Sequence, residues 1–346
     1  MIKNKIAEEL EDDALNEFVS KYGLVQHSPK LKTIFEGFNS YLYKYVACYN
    51  GQEVVGILPF IHYKNDLGDV VHSLPYLGYG GGCTIDDDNE ILSSMLLTLM
   101  EYCQQKQILL LTICTPPFSK QLNVYTETLQ PDYIKDNFYQ YIPLRSDFLT
   151  LMNSKNRNNL KRNLKHAEST GIYLNQDNSE EMLKVWYETI YKPRLETTGG
   201  AIYPFEVFNH LRHFFGGDRV VVQYAMLDDT IVGASILLKQ NKSLDNFMRV
   251  VGNDYMHTQA GVMLDYWSIQ YAQSQGYEYY NWQSCDRVDS PIFKYKENWG
   301  SKVDKHFYIT KTINSIEEFK RSSLDEIIEN YKGIYVLPYS EFKKKG

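Results

Sequence analysis

Apolar and polar positions along the chain follow two periods, one helical and one alternating, and the same succession of periods occurs twice. Residues 8–22 place apolar side chains at helical spacing among acidic ones and stop at Gly23, which predicts an amphipathic helix. YKYVACYNGQEVVGILPFIHYK, residues 43–64, holds two β-rich runs around Asn50-Gly51, a dipeptide suited to a tight hairpin. Helical periodicity returns over 92–106 and feeds QILLLTIC, a continuous apolar run typical of a buried strand. In the second half, VVVQYAMLDDTIVGASILLKQ (220–240) again flanks a short polar turn, Asp228-Asp229. Val54-Val55-Gly56 and Ile231-Val232-Gly233 stand at the same place after the two turns. A strand at LDNFMRVVG, a helix over 260–275 and a strand at GYEYYNW follow. Hairpin, strand, helix, strand is therefore the order in both halves. It predicts an α/β (α+β) chain built from one duplicated unit of about 150 residues, divided into 1–150 and 151–346.

Between the halves, NSKNRNNLKRNLKHAESTG (153–171) spaces Arg157, Lys161 and Lys165 four apart, on one face of a helix. That face reads either as a solvated basic surface or as one turned toward phosphate. The last 35 or so residues read as helical, with Ser315/Glu318 and Ser323/Glu326 spaced as capping boxes, and the KKKG end reads as a frayed tail.

Composition narrows the chemistry. The formal net charge is −7, which argues against a global basic face for nucleic acid but leaves room for a local patch or for ligands with a few phosphates. Twenty-nine tyrosines suit clefts for polar, ring-shaped ligands. Cys48, Cys83, Cys103, Cys114 and Cys285 form no C-x-x-C pair and no metal spacing with histidine, which predicts reduced thiols in a cytoplasmic protein. The eight histidines likewise show no ligand spacing, so no metal is expected. MIKNKIAEELEDDALNEF has no apolar signal core, and no apolar run approaches the roughly 20 residues of a membrane helix.

SPIFKYKENWG (290–300) carries the clearest candidate chemistry. Read as a strand, it puts Ile292, Lys294 and Lys296 on one face and Phe293 with Tyr295 on the other. A lysine there is either a solvated surface cation or one aimed at a developing negative charge. HTQAGVM (257–263) places Gln259, Ala260 and Gly261 where a helix starts, leaving backbone donors accessible to an anion. LGYGGG offers Tyr79 beside a triple glycine that no G-K-[ST] follows, so it is not a P-loop.

Four landmarks in order carry a resemblance: HSPKL (27–31), VVGILPF (54–60), LPYLGYGG (74–81) and FKYKENWG (293–300). The chain resembles the Fem-type nonribosomal peptidyltransferases and their FemAB-like relatives over roughly residues 25–310. The resemblance implies two tandem GNAT-like acyltransferase domains, each with a mixed central sheet, and N-acyl transfer to an amine. It implies a branch choice between an acyl-CoA-dependent sugar N-acyltransferase and an aminoacyl-tRNA-dependent peptidyltransferase acting on a peptidoglycan precursor. The acidic charge and the lack of a long helical-hairpin insertion favour coenzyme A, with no metal. The acceptor implied is a nucleotide-linked amino sugar, a dTDP-3-amino-3,6-dideoxyhexose made for a surface glycan. The partners are then small molecules, with neither nucleic acid nor membrane.

By the same resemblance, Lys296 of Tyr295-Lys296-Glu297-Asn298-Trp299-Gly300 is the catalytic lysine that stabilises the oxyanion, from a cleft between the two domains. Arg194 in KPRLETTGG and Lys30 contact acceptor phosphate, with Tyr79, Lys294 and Trp282 completing the acceptor pocket. Gln259, Ala260, Gly261 and Arg249 take the acyl-CoA. The base is Asp286 of NWQSCDRVDSP, or Asp86 of GGGCTIDDD, or a relayed water. The three aspartates 86–88 read equally as caps of the following helix.

Overall fold

The computed structural model describes residues 2–8, 13–37, 41–75, 77–285, 287–317 and 319–342. In chain order the elements are β1 (Ile2–Ala7), α1 (Asp13–Tyr22), α2 (Lys32–Glu36), β2 (Tyr41–Asn50), β3 (Glu53–Tyr63), β4 (Val70–Ser73), β5 (Cys83–Thr84), α3 (Asn89–Gln105), β6 (Leu110–Cys114) and α4 (Leu122–Leu129). There follow β7 (Tyr133–Pro143), α5 (Ser154–Ser169), β8 (Tyr173–Gln176), α6 (Glu180–Trp186), α7 (Lys192–Thr198), α8 (Phe205–Arg219), β9 (Val220–Leu227), β10 (Thr230–Lys239) and β11 (Ser243–Val251). The chain closes with α9 (Ala260–Ser274), β12 (Tyr279–Cys285), α10 (Pro291–Glu297), β13 (Lys302–Thr312) and α11 (Leu324–Asn330).

These elements form two compact units, Met1–Asn137 with Asp304–Gly346, and Phe138–Val303. Asp304–Gly346 groups with the first unit, not with the second half of the sequence as the linear order of elements suggests. The sheet of the first unit runs β1-β2-β3-β4-β6-β13, with β5 on β3; that of the second runs β7-β12-β11-β10-β9-β8. Each therefore repeats one plan: an antiparallel hairpin (β2–β3, β9–β10), a third strand (β4, β11), and a helical crossover (α3, α9) to a parallel fourth strand (β6, β12). The fourth strand of each unit also pairs with a strand from elsewhere in the chain, β13 against β6 and β7 against β12, both antiparallel.

Local chemistry explains the elements. Asn50-Gly51 turns the first hairpin, with Gly51 at φ 65. In α3 the residues Ile91, Leu92, Met95, Leu96 and Leu99 recur at helical spacing and bury themselves against Val46, Leu58, Phe60, Leu111 and Ile113. In the second unit α5 covers α9-side core with Leu160 and Ala167, while β10 and β12 contribute Leu237, Tyr280 and Trp282. The triple glycine is a packing device. A Cβ on Gly80 would stand 2.1 Å from the Leu74 backbone nitrogen, so the loop lies on its own backbone.

Three local expectations change. Residues 291–297 are a helix, not a strand, because Ser290 accepts the Phe293 N–H as N-cap and Pro291 starts the first turn. The C-terminal tail holds one short α-helix, α11, capped by Ser323 through the Glu326 N–H. Ile2–Ala7, ahead of the helix expected from residue 8 and assigned no element of its own, adds an edge strand. Glu318 of the other capping pair and the KKKG end lie outside the described residues. No helix among the described residues is long and apolar enough to cross a membrane.

Candidate active site

The second unit opens between its third and fourth strands. β11 and β12 pair only at Ser243↔Tyr279, Leu244↔Tyr280 and Asp245↔Asn281, although β11 continues to Val251 and β12 to Cys285. A bulge on each side follows the split. The β10–β11 register shifts after Ile236, and β12 bulges against β7 between Asn281 and Ser284, with Gln283 in the left-handed region at φ 65. In the first unit the corresponding strands stay paired through Ser73↔Ile113, the end of β4.

The helices that follow these third strands differ as well. α3 begins on Asp88, whose carboxylate accepts the Glu90 and Ile91 N–H groups, with Asp86 and Asp87 exposed beside it. Three carboxylates at a helix N-terminus already supply the negative charge that the free N–H groups attract. α9 begins on Gln259, in the left-handed region and without a cap bond from its own side chain, while the Thr258 hydroxyl accepts the Ala260 N–H at 3.3 Å. Its first residues, Ala260 and Gly261, are small, and the Arg249 guanidinium rests on them: a Cβ at Gly261 would stand 2.6 Å from Nη1.

Behind the split lies a buried polar cluster that sequence periodicity did not disclose. Asp245 accepts from the Ser243 hydroxyl at 2.6 Å, Gln283 Nε2 at 3.0 Å and Gln240 Nε2 at 3.3 Å. Burial pushes its pKa up to about 7 in spite of those donors. Gln283 thus ties the bulge of β12 back to β11 by side chains where the main-chain ladder has ended. Asp265 of α9, also fully buried, is ion-paired with Arg249 Nε and accepts from the Tyr295 hydroxyl and Asn246 Nδ2. Burial raises its pKa, against the pull of Arg249 and Tyr295. A lone Asp inside the otherwise apolar run AGVMLDYW was the signal available for Asp265.

Lys296 sits on α10 rather than on a strand and is 8% exposed. Its Nζ donates to the carbonyls of Trp282 at 2.9 Å and Gln283 at 3.4 Å, the two residues at the β12 bulge. An ammonium has three donors, and the third has no protein partner among the described residues. Burial lowers its pKa from 10.5 to about 8. Lys294, expected on the same face, is exposed on the other side of the helix.

The other expected residues are placed as follows. Asp286 lies outside the described residues. Asp86 is exposed at the start of α3 and belongs to the first unit, whereas Lys296 belongs to the second. Arg194, on α7, donates from Nη1 to Asn253 in the turn leading toward α9. Lys30 is half-buried in a 3-10 turn of the first unit. Tyr79 is fully buried with its ring 5.1 Å from that of His306, so it is a core residue and not the wall of an open pocket. Trp282 is likewise core: it is 4% exposed, packs on Tyr280, Tyr295 and Trp299, and donates to Ser301.

The split strands, the start of α9 and the polar cluster fall in or beside a recognisable domain. Residues 154–287 match the family model described as Acetyltransferase (GNAT) domain. Residues 154–287 are therefore similar to a GNAT acetyltransferase domain, and the chain is an N-acyltransferase.

More particularly, its whole fold is similar to three solved structures. FemX matches at 12% identity and TM-score 0.69, over 88% of this chain and 97% of that one. The structure of L-PGS from Bacillus licheniformis matches at 13% and 0.61, over 90% and 95%. A tandem GNAT protein from the clavulanic acid biosynthesis pathway matches at 11% and 0.52, over 91% and 99%. A search of curated protein sequences finds no match.

Proposed function

We propose that the chain moves an acyl group from a coenzyme A thioester to the amino group of a nucleotide-linked sugar, a dTDP-3-amino-3,6-dideoxyhexose. The observation that carries the donor is the parting of β11 and β12 beyond Asp245 and Asn281, beside the first turn of α9. An extended pantetheine arm can hydrogen-bond to the strand edge exposed there, and its pyrophosphate suits the N-terminus of α9, with Arg249 above it. Gln259, Ala260, Gly261 and Arg249 are then the donor-binding residues.

In the reaction the neutral amine attacks the thioester carbonyl. The new C–N bond forms, the C–S bond breaks with its electron pair going to sulfur, and the amine proton passes through a base, directly or by way of solvent, to the departing thiolate, which leaves as the thiol. Lys296 directs its unused N–H at the tetrahedral oxyanion, and Asp286 takes the amine proton, directly or through water. Arg194 and Lys30 contact acceptor phosphate. The acceptor follows from the resemblance of the sequence landmarks to the FemAB-like proteins.

A second reading has its own support. α5 carries Lys155, Arg157, Lys161, Arg162 and Lys165 with only Glu168 opposing them, and none of the five has an ion-pair partner among the described residues. Such a stripe suits several phosphates in a row, as on an aminoacyl-tRNA. The purified chain is to be incubated with acetyl-CoA and a panel of nucleotide-linked amino sugars, then with charged tRNA and a peptidoglycan precursor. Thiol release and an amide product from the first mixture support the coenzyme A reading. Consumption of charged tRNA without thiol release from coenzyme A overturns it in favour of the second.

A further inference from the structure

Arg249 is held by more structure than its own place in the sheet requires. Its Nε is ion-paired with Asp265 Oδ1 at 3.1 Å. The second oxygen of Asp265 accepts the Tyr295 hydroxyl at 2.6 Å, and the Tyr295 ring lies 5.4 Å from the guanidinium centre. Asn246 donates to the same carboxylate from below, at 3.3 Å. The guanidinium is thus fixed at its inner edge by a fully buried acid and along its face by a ring. Its terminal nitrogens are different. Nη1 lies over Gly261, and neither Nη group has a protein partner among the described residues. The side chain keeps 28% of its surface exposed. A buried carboxylate, a tyrosine hydroxyl and an asparagine amide therefore orient a fork whose own donors are unspent.

We propose that Asp265 and Tyr295 are positioning residues for the donor: they aim Arg249 at the pyrophosphate of coenzyme A without touching it. Asp265 fixes Nε, so that the free Nη pair faces outward over the first turn of α9. Tyr295 fixes Asp265 and limits the tilt of the guanidinium. Gly261 leaves the fork room to lie flat. Tyr295 and Lys296 are neighbours on α10, so that one short helix supports both ends of the donor: the fork through Tyr295 and the reacting carbonyl through Lys296. The inference rests on the coenzyme A reading above.

The test compares two donors. Acyl-CoA carries the pyrophosphate; acyl-pantetheine carries the same thioester and arm but no pyrophosphate. Asp265→Asn and Tyr295→Phe each lower the ratio of kcat/KM for acyl-CoA over acyl-pantetheine by about tenfold, through KM, as expected when a charge-assisted contact loses its aim. Arg249→Ala lowers the ratio at least as far, and adding Asp265→Asn to it lowers the ratio no further, because the two act on one contact. Tyr295→Phe keeps the ring and guards against a folding defect in the other variants. Equal losses on both donors, an unchanged ratio, or additive losses in the double variant would each overturn the proposal. If the unaltered chain takes an acyl group from neither donor, it is the coenzyme A reading that fails.

Discussion

Replacing Lys296 by Met separates a catalytic role from a structural one, because the two predict opposite balances of rate and stability. The ammonium is buried, and the fall of its pKa from 10.5 to about 8 measures how much the fold disfavours the charge. At ~1.36 kcal/mol per pKa unit that is roughly 3 kcal/mol. The ammonium also satisfies the Trp282 and Gln283 carbonyls, each such bond to a charged group being worth about 1.5–3 kcal/mol. Methionine fills the same volume, removes the cost and loses the bonds, so the two changes largely offset each other. Thermal unfolding should move by only a few degrees.

The rate should not be spared. Removing one oxyanion donor costs about 2.7–4 kcal/mol of barrier, or roughly 100- to 1000-fold in kcat. The pH profile supplies a second arm. If the ammonium is the working form, kcat falls as pH rises through about 8, and the folded chain gains stability between about 8 and 10.5, where the unfolded chain holds the extra proton. Lys296→Arg, whose guanidinium stays charged, should abolish that alkaline limb. Steady-state kinetics from pH 6 to 10 with calorimetry on the same samples decide the matter. Near-normal turnover in Lys296→Met, or an alkaline limb that persists in Lys296→Arg, refutes the oxyanion role and leaves Lys296 as a staple for the bulge.

Other outcomes follow from single contacts. Gly261→Ala places a methyl 2.6 Å from Arg249 Nη1, so it should weaken coenzyme A binding about tenfold in titration calorimetry while changing unfolding little. Asp88→Ala removes the cap that accepts the Glu90 and Ile91 N–H groups and should cost about 1 kcal/mol in denaturant unfolding, with turnover retained. Leu92→Ala in the fully buried face of α3 should cost about 2–5 kcal/mol. Asp245, with its pKa raised to about 7, contributes stability that is full below pH ~4 and is lost as pH rises toward 7; Asp245→Asn should flatten that part of the Tm–pH curve.

Local signals were legible in the sequence, and contacts across the fold were not. The hairpins at Asn50-Gly51 and Asp228-Asp229, the helices α3 and α9, and the repeated order of elements announce themselves through turn residues and period. FKYK alternates like a strand, yet Ser290-Pro291 is a helix start, and Phe293, Lys296 and Trp299 recur at the spacing of one helical face. The alternation misled because one polar residue of that face, Lys296, is buried. The motif drew attention to Lys296 from the sequence alone, and Gly261 lies against the Arg249 guanidinium. Asp265 with Tyr295, and Asp245 with Gln283, are pairs made by packing between residues 30 and 38 apart, and no periodicity reports such pairs. Tyr79 looked available because glycines surround it, yet its ring is fully buried and Gly80 lies against the Ser73–Leu74 backbone.

The exchange of closing strands has a consequence for how such a protein can be made or taken apart. The amino-terminal sheet waits for β13, so on the ribosome its last edge stays bare until residues past 312 have emerged, by which time nearly all of its sister unit has been synthesised. A gene cut at codon 150 would give two products, each lacking one strand that pairs with its own fourth strand and each carrying the other's: β7 with the first half, β13 with the second.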